Sequence, residues 1–377
     1  KNKRIYADYA AATPVSKEVL RQMKPYWRKH FANPRASYQS ARAIRAVLND
    51  CAQTVRGTAG MAKEGRVVWT SGGTESNHLA VDFAIRQWKE LHPQEEYTII
   101  ISSIEHPSVV DYVESITDSL CSIEYVKVDR EGAIQLDDLE ARLPSAVNPI
   151  LVSCIFQSSE VGTTQPIKKM TKLVSRHRGD AEFPYVHVDA SQGLYYHNLN
   201  MQDWGIDLCT TCGQKMGGPK GSGILLCAPR IQINRPGTPA VPLIVGISRA
   251  LSLAQKNHTA WQSQIVSLRK RLFDALDNLS IPYQINGRRD EPSLVCNITL
   301  TQSNRDSESL IVALDKLGVE VSSKSACVGS QQADSRVLHA MGINPANSLR
   351  ISLHHEMKLG EVSQIAQRIV ALVENAR

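Results

Sequence analysis

The sequence predicts an α/β protein with a largely parallel sheet covered by helices on both faces, followed by a smaller α+β part. Two observations carry this. Apolar strand-like runs alternate with segments of helical spacing from about residue 15 to residue 228, and strands joined through helices run parallel, which buries both faces of their sheet. Beyond the proline-rich stretch NRPGTPAVP at 234–242 the alternation stops, and a long helical region leads into short strands and further helices.

Along the chain, Val15–Trp27 and Ala41–Thr58 repeat apolar residues at helical spacing and predict two helices. Val67–Thr70 is a short run fit for a strand, and the glycines after it lead into a third helix over Glu75–Leu91. Further strands are predicted at Thr98–Ser102, Ile150–Ile155, Tyr185–Val188, Leu208–Thr211 and Gly223–Cys227, each a short apolar run between polar or turn-forming residues. A long helical region follows from about Leu243 to Leu279. After it come the strand-like LVCNITL (294–300), a helix near Ser307–Leu317, the EVSS run (320–323) and a last helix over Leu359–Asn375. The sequence holds no internal repeat and no low-complexity segment.

With 42% hydrophobic and 21% charged residues, the composition is that of a folded soluble enzyme rather than a disordered or membrane chain. No run approaches the roughly 18 to 20 apolar residues of a spanning helix, and KNKRIYADYAAATP lacks the apolar centre of a signal peptide. The expectation is a cytoplasmic protein with no membrane contact. The net charge of +6 is scattered, which suits anionic ligands but gives no reason to expect direct nucleic-acid binding. Eight cysteines lie far apart, at 51, 121, 154, 209, 212, 227, 296 and 327, so reduced thiols are expected rather than a disulfide framework.

The chemistry gathers at the ends of the predicted strands. Val67–Thr70 runs into Ser71-Gly72-Gly73-Thr74-Glu75, a glycine turn opening a helix. Such a start offers unpaired N–H groups and a positive dipole end to a phosphate; Gly73 permits close approach and Thr74 adds a hydroxyl. An ordinary capped helix is the plainer alternative. Pro107 stops the next strand and leaves His106 at its carboxyl end, where open α/β sheets hold ligands. An imidazole there can stack on a flat ligand and move protons, or serve structure alone.

Asp189 closes the run HVD, and a carboxylate in that position wants a cationic partner. Lys215 follows the next strand in a glycine-rich turn, so both can face one crevice. A carboxylate that keeps a pyridine nitrogen protonated and an amine that carries the cofactor covalently are the pair that pyridoxal phosphate chemistry needs. Gln192 is placed to reach the cofactor's phenolic oxygen. A structural salt bridge for Asp189 and a solvated Lys215 are the plainer readings.

Cys327 lies in VSSKSACVGS (321–330) beside Lys324, a small polar stretch that can expose and partly ionise a thiol, although most cysteines are inert core residues. Arg350 in SLRIS can grip a carboxylate with two prongs or pair with an acid of the protein. Cys209 and Cys212 form a CxxC, but no second pair exists, and residues three apart on a strand face opposite ways. No metal site is expected.

Together these residues resemble the cysteine desulfurases, in the class V aminotransferase branch of the fold-type I pyridoxal phosphate enzymes. The resemblance runs in family order through ADYAAATPV (7–15), NPRASY (33–38), TSGGTESN (70–77), EHPSV (105–109) and SSEVGTTQPI (158–167). It continues through HVDASQ (187–192), GQKMGGPKGSG (213–223), RPGTPAVPLIVG (235–246), SSKSAC (322–327) and SLRISL (348–353).

The resemblance implies a large domain over 15–250 with a mainly parallel seven-stranded sheet between helices. It implies a small α+β domain from 1–14 and 251–377 that carries the loop of Cys327. By the same resemblance the cofactor is pyridoxal 5'-phosphate, joined to Lys215, paired with Asp189 and stacked on His106. Gly73, Thr74, Ser159, Gln192, Cys212 and Gln214 hold it, and Thr238 reaches the phosphate bound in the neighbouring subunit of a homodimer. Asn33 and Arg350 hold the substrate carboxylate.

The implied reaction turns L-cysteine into L-alanine. Lys215 and His106 move protons, and the Cys327 thiolate takes the sulfur as a persulfide for an acceptor such as an iron–sulfur scaffold or a tRNA-thiolation enzyme. The SSKSAC form resembles the iron–sulfur-assembly branch. The chain also departs from the family. Ser159 replaces an Asn, Cys212 a Ser or Thr, Gln214 a His, Tyr38 a His and Lys324 a Gly, and 229–236 is shorter than the usual glycine-rich hairpin. These departures keep open another class V reaction (selenocysteine lysis, β-elimination or transamination) and a weakened non-catalytic relative.

Overall fold

A computed structural model describes residues 4–279, 281–301, 305–323 and 335–374. The chain opens on a short strand, β1 (Ile5–Tyr6), and two helices, α1 (Lys17–Arg28) and α2 (Gln39–Thr58). Alternation follows through β2 (Arg66–Thr70), α3 (Gly73–Leu91), β3 (Tyr97–Ser102), α4 (Pro107–Glu114), β4 (Cys121–Val126), α5 (Leu136–Ser145) and β5 (Pro149–Ile155). It continues through α6 (Ile167–Arg178), β6 (Tyr185–Asp189), α7 (Met201–Trp204), β7 (Leu208–Cys212) and β8 (Gly223–Cys227). The remainder holds α8 (Val241–Asn278), β9 (Tyr283–Asn286), β10 (Val295–Leu300), α9 (Ser307–Lys316), β11 (Val319–Glu320), α10 (Arg336–Ala340), β12 (Ser348–Ser352) and α11 (Leu359–Glu374).

The central sheet has seven strands in the order β2-β8-β7-β6-β5-β3-β4, all parallel apart from β8, as the alternation predicts. Every residue of β3, β6, β7 and β8 is buried, which follows from helices on both faces. Successive side chains go to opposite sides: Ile99 and Ile101 pack with Phe83 and Trp88 of α3, while Ile100 packs with Met170 and Val174 of α6. The edge strand β4 is not foreshadowed in the sequence, because its half-exposed Ser122-Ile123-Glu124-Tyr125 presents no apolar run. Strands β6 and β7 run one residue past their apolar stretches, since Asp189 pairs with Ile155 and Thr210, and Cys212 with Gly223.

Smaller sheets complete the molecule. β12, β10 and β9 form an antiparallel trio, and β1 pairs in parallel with β11. Single bridges join Asp8 to Ser352 and Ser322 to Arg350. An aromatic knot fastens these parts to the large sheet: Tyr9 stacks on His354 with centroids 4.7 Å apart, and Trp261 of α8 stacks on His355 at 4.1 Å. Tyr195, just past β6, reaches His354 Nε2 at 3.4 Å. The knot fixes the N-terminal segment and β12 against the end of β6. Among the described residues no helix is long and apolar enough to cross a membrane.

The carboxyl ends of β2, β3, β5, β6 and β7 share one edge of the sheet, the edge where β8 begins. There Gly223 leaves room for the turn after β2: a Cβ on it would lie 2.5 Å from both the Gly72 carbonyl carbon and Thr70 Oγ1. Gly223→Ala is expected to destabilise the protein by about 1–3 kcal/mol through this overpacking. Urea denaturation checks it; an unchanged midpoint and slope would show that the turn moves aside freely.

Candidate active site

At that carboxyl edge lies a recess that is open to solvent. Gly73 and Thr74 line it from the turn after β2, His106 from the end of β3 and Ser159 from the turn after β5. Asp189 and Gln192 come from the end of β6; Cys212, Gln214 and Lys215 come from the end of β7. Arg350 enters from β12. A parallel sheet delivers such groups to one place because each crossover helix returns the chain to the opposite edge before the next strand begins.

Asp189 is 4% exposed, yet it is held below the ordinary carboxylate range. Burial alone pushes it up, but the His106 side chain, the Asn77 amide and the Ser191 N–H together outweigh that. Asn77 Nδ2 donates to Asp189 Oδ2 at 2.9 Å and the Ser191 N–H to Oδ1 at 3.0 Å. His106 N-caps α4, and its imidazole is pushed down to about 4 by burial, with Lys215 and Arg350 adding repulsion. At neutral pH it therefore presents an uncharged ring to the recess.

Beside His106 in the chain, Glu105 is fully enclosed. Its Oε1 accepts from Ser102 Oγ and from the Ile155 N–H, both at 2.6 Å, which joins the ends of β3 and β5 below the recess. Oε2 has no partner. Burial pushes this carboxyl up to about 8, with Asp189 adding to the effect, so Glu105 keeps its proton at neutral pH.

Lys215 ends a single 3₁₀ turn, Gly213–Lys215, pinned by Thr13, which donates its N–H to Gln214 O at 2.7 Å and accepts the Gly217 N–H on its hydroxyl at 2.8 Å. The Cys212 thiol faces the recess un-ionised, because burial raises it more than Lys215 lowers it. Arg350 is 1% exposed and its charge is met by Asp8, Nη2 to Oδ1 2.7 Å, while Nη1 donates to Ser159 O at 3.1 Å.

Several buried polar atoms in this wall lack a partner within the protein: Ser191 Oγ, Asn77 Oδ1, Arg350 Nε and both amide atoms of Gln192. Left so, each would cost on the order of 1–3 kcal/mol, so the wall is built for a polar ligand. Gly73 adds a close approach, with a notional Cβ only 3.1 Å from Ser191 Oγ.

Not every expected residue arrives. Asn33 is exposed and away from the recess, its Oδ1 engaged with the Arg35 N–H at 3.0 Å to form a local turn. Thr238 is exposed as well and lines a separate groove with Arg66, Trp69 and Arg235. Cys327 and Lys324 lie outside the described residues. Four residues that sequence reasoning left without a role belong here: Asn77, Ser108, Glu105 and Asp8. Asn77 is signalled by its place one helical turn beyond Gly73, and Ser108 by its place two residues past a capping His. Asp8 and Glu105 carry no local signal, since their partners are distant in sequence.

The pattern of the Aminotransferase class-V family matches residues 5–236 and 232–365. The chain belongs to the class-V aminotransferase family. It is 31% identical over 395 residues to the cysteine desulfurase IscS of Methanosarcina thermophila, covering 100% of this chain and 93% of that one. Among solved structures it resembles a NifS-like protein with a TM-score of 0.87 and 25% identity, covering 99% and 100% of the two chains. It also resembles SspA in complex with cysteine, with a TM-score of 0.74 and 27% identity over 93% of this chain and 98% of that one.

Glu105 makes this site's pH response testable. A carboxyl raised in the fold contributes stability that is complete below its unfolded value near 4.5 and lost as pH rises through about 8. In urea unfolding across that range, the wild type is expected to lose stability relative to Glu105→Gln by on the order of a few kcal/mol. Parallel curves for the two proteins would contradict the protonated assignment.

Proposed function

We propose that this chain is a pyridoxal phosphate-dependent cysteine desulfurase that converts L-cysteine to L-alanine and carries the released sulfur as a persulfide on Cys327. The observation that carries the reading is the convergence of Asp189, His106, Lys215 and Arg350 on one recess at the carboxyl edge of the sheet. Relatives of the same family bear the desulfurase name over the full length of the chain.

The residues fit the cofactor on their own terms. The buried Asp189 carboxylate answers a protonated pyridine nitrogen, the partnerless Gln192 amide answers a ring oxygen, and the start of α3 at Gly73 and Thr74 answers a phosphate. Ser191 and Gln214 add neutral donors, and Cys212 lies alongside. When bound, pyridoxal phosphate supplies an electron sink that labilises bonds at the substrate's α- and β-carbons.

The protein supplies position and protons. Arg350, already directed by Asp8 and Ser159 O, holds the substrate carboxylate through its free edge. Lys215 reaches the recess as an amine that can bond the cofactor and move a proton at the substrate's α-carbon, and His106 faces the same space. The Cys327 thiolate bonds the substrate sulfur while the carbon–sulfur bond breaks, and the three-carbon fragment takes up a proton and leaves as alanine. Atoms balance without an outside oxidant, because one thiol and cysteine become one persulfide and alanine. The persulfide then passes to an acceptor protein, such as an iron–sulfur scaffold or a thiolation enzyme.

We also propose a homodimer. Leu20, Trp27, Phe31 and Tyr38 stand 52%, 60%, 78% and 57% exposed around α1 and the start of α2, a large apolar surface for one chain. Thr238 lies away from this chain's own recess, which suits service to a neighbour. A reducing, cytoplasm-like compartment suits a mechanism that needs a free thiol.

Alanine formation from L-cysteine tests the reading. Lys215→Ala is expected to lose at least about a hundredfold in rate. Cys327→Ala is expected to lose turnover while binding pyridoxal phosphate as the wild type does. Full turnover by Cys327→Ala would remove the nucleophile, and amino-group transfer without sulfur release would point to a transaminase instead.

A further inference from the structure

The capping geometry at His106 fixes more than the start of a helix. Its Nδ1 accepts the Ser108 backbone N–H at 3.1 Å, a bond that favours a lone pair on that nitrogen without fixing it alone. The Ser108 hydroxyl lies 2.8 Å from the same Nδ1 and 2.8 Å from Asn77 Nδ2. An amide nitrogen only donates, so the hydroxyl accepts from Asn77 and gives its own hydrogen to His106. Asn77 cannot be turned the other way, because Nδ2 also donates to Asp189 Oδ2 at 2.9 Å and a carboxylate only accepts. One directed chain thus has its origin in the Asn77 amide, which ties down Asp189 with one hydrogen and orients Ser108 with the other.

We propose that Ser108, oriented by Asn77, is a positioning residue that locks His106 as the Nε2–H tautomer and so presents a proton donor to the recess. The assignment rests on the reading of this recess as the reactive site, and goes beyond it by stating which ring nitrogen carries the proton. The groups that face the ring agree with it. Lys215 and Arg350 oppose a second proton on the imidazole, and Asp189 favours one but is already engaged by Asn77 and Ser191. His106 therefore faces the recess with a proton to give. A tautomer held by the protein alone is present before any ligand binds.

Nuclear magnetic resonance of the full chain, cofactor-free and labelled with ¹⁵N in the histidine rings, tests this without any turnover. The His106 signals are assigned by their loss in His106→Gln. The wild type is expected to show a bare Nδ1 and a protonated Nε2 at neutral pH. Ser108→Ala is expected to move the two nitrogen signals toward each other as the Nδ1–H tautomer becomes populated, and Asn77→Ala to do so more weakly. Ser108→Thr, which keeps the hydroxyl, is expected to restore the wild-type pattern and guards against a folding artefact. A protonated Nδ1 in the wild type, or an unchanged spectrum in Ser108→Ala, would overturn the proposal. The desulfurase reading fails separately, in the alanine assay, and its failure would leave the ring spectrum as it is.

Discussion

A carboxylate taken out of water must be compensated, and the compensation of Asp189 organises the rest of this site. It ends the middle strand of the central sheet, 4% exposed, between β7, which is wholly buried, and β5, which is buried in all but its first residue. The protein gives it two hydrogen bonds, from Asn77 and from the Ser191 N–H. With His106 nearby, those bonds keep it below the ordinary carboxylate range. The remaining demand faces the recess, and under the proposed function a protonated ring nitrogen would answer it.

Two carboxyl groups lie close together at the end of the sheet, and their surroundings drive them apart. Glu105 is enclosed, has one oxygen without a partner and is raised to about 8; Asp189 is well supplied with donors and lowered. One stays neutral and ties β3 to β5, while the other keeps its charge for the ligand. The same separation appears among the cations. Arg350 spends part of its charge on Asp8, and His106 stays neutral between Lys215 and Arg350. The recess therefore combines one working carboxylate, one amine and one guanidinium, with neutral donors filling the spaces between them.

Much of this could be read from the chain. Asp189, His106, Lys215 and Gly73 sit where an apolar run meets a polar or glycine turn, and such junctions mark strand ends in any α/β sheet. The fold class was legible for the same reason, since apolar strand-like runs recur between helical segments, although β4 gave no such run. What the sequence hides depends on contacts across the fold. Asp8 meets Arg350 only because β1 joins β11 and a bridge joins Asp8 to Ser352. Glu105 gains its character from enclosure below β5, and Ser108 from a neighbour on another helix. Asn33 shows the reverse: its motif suggests a ligand-binding residue, but within this chain the side chain closes a turn of its own.

The claim that Asp189 anchors the cofactor is the one on which the rest stands, and calorimetric titration with pyridoxal phosphate measures it directly. Asp189→Asn keeps the shape of the side chain and removes the charge. The account predicts that this variant binds at least about a hundredfold more weakly than the wild type, the scale of losing one partner of a buried, hydrogen-bonded charge pair. Equal affinities for the two proteins would contradict it.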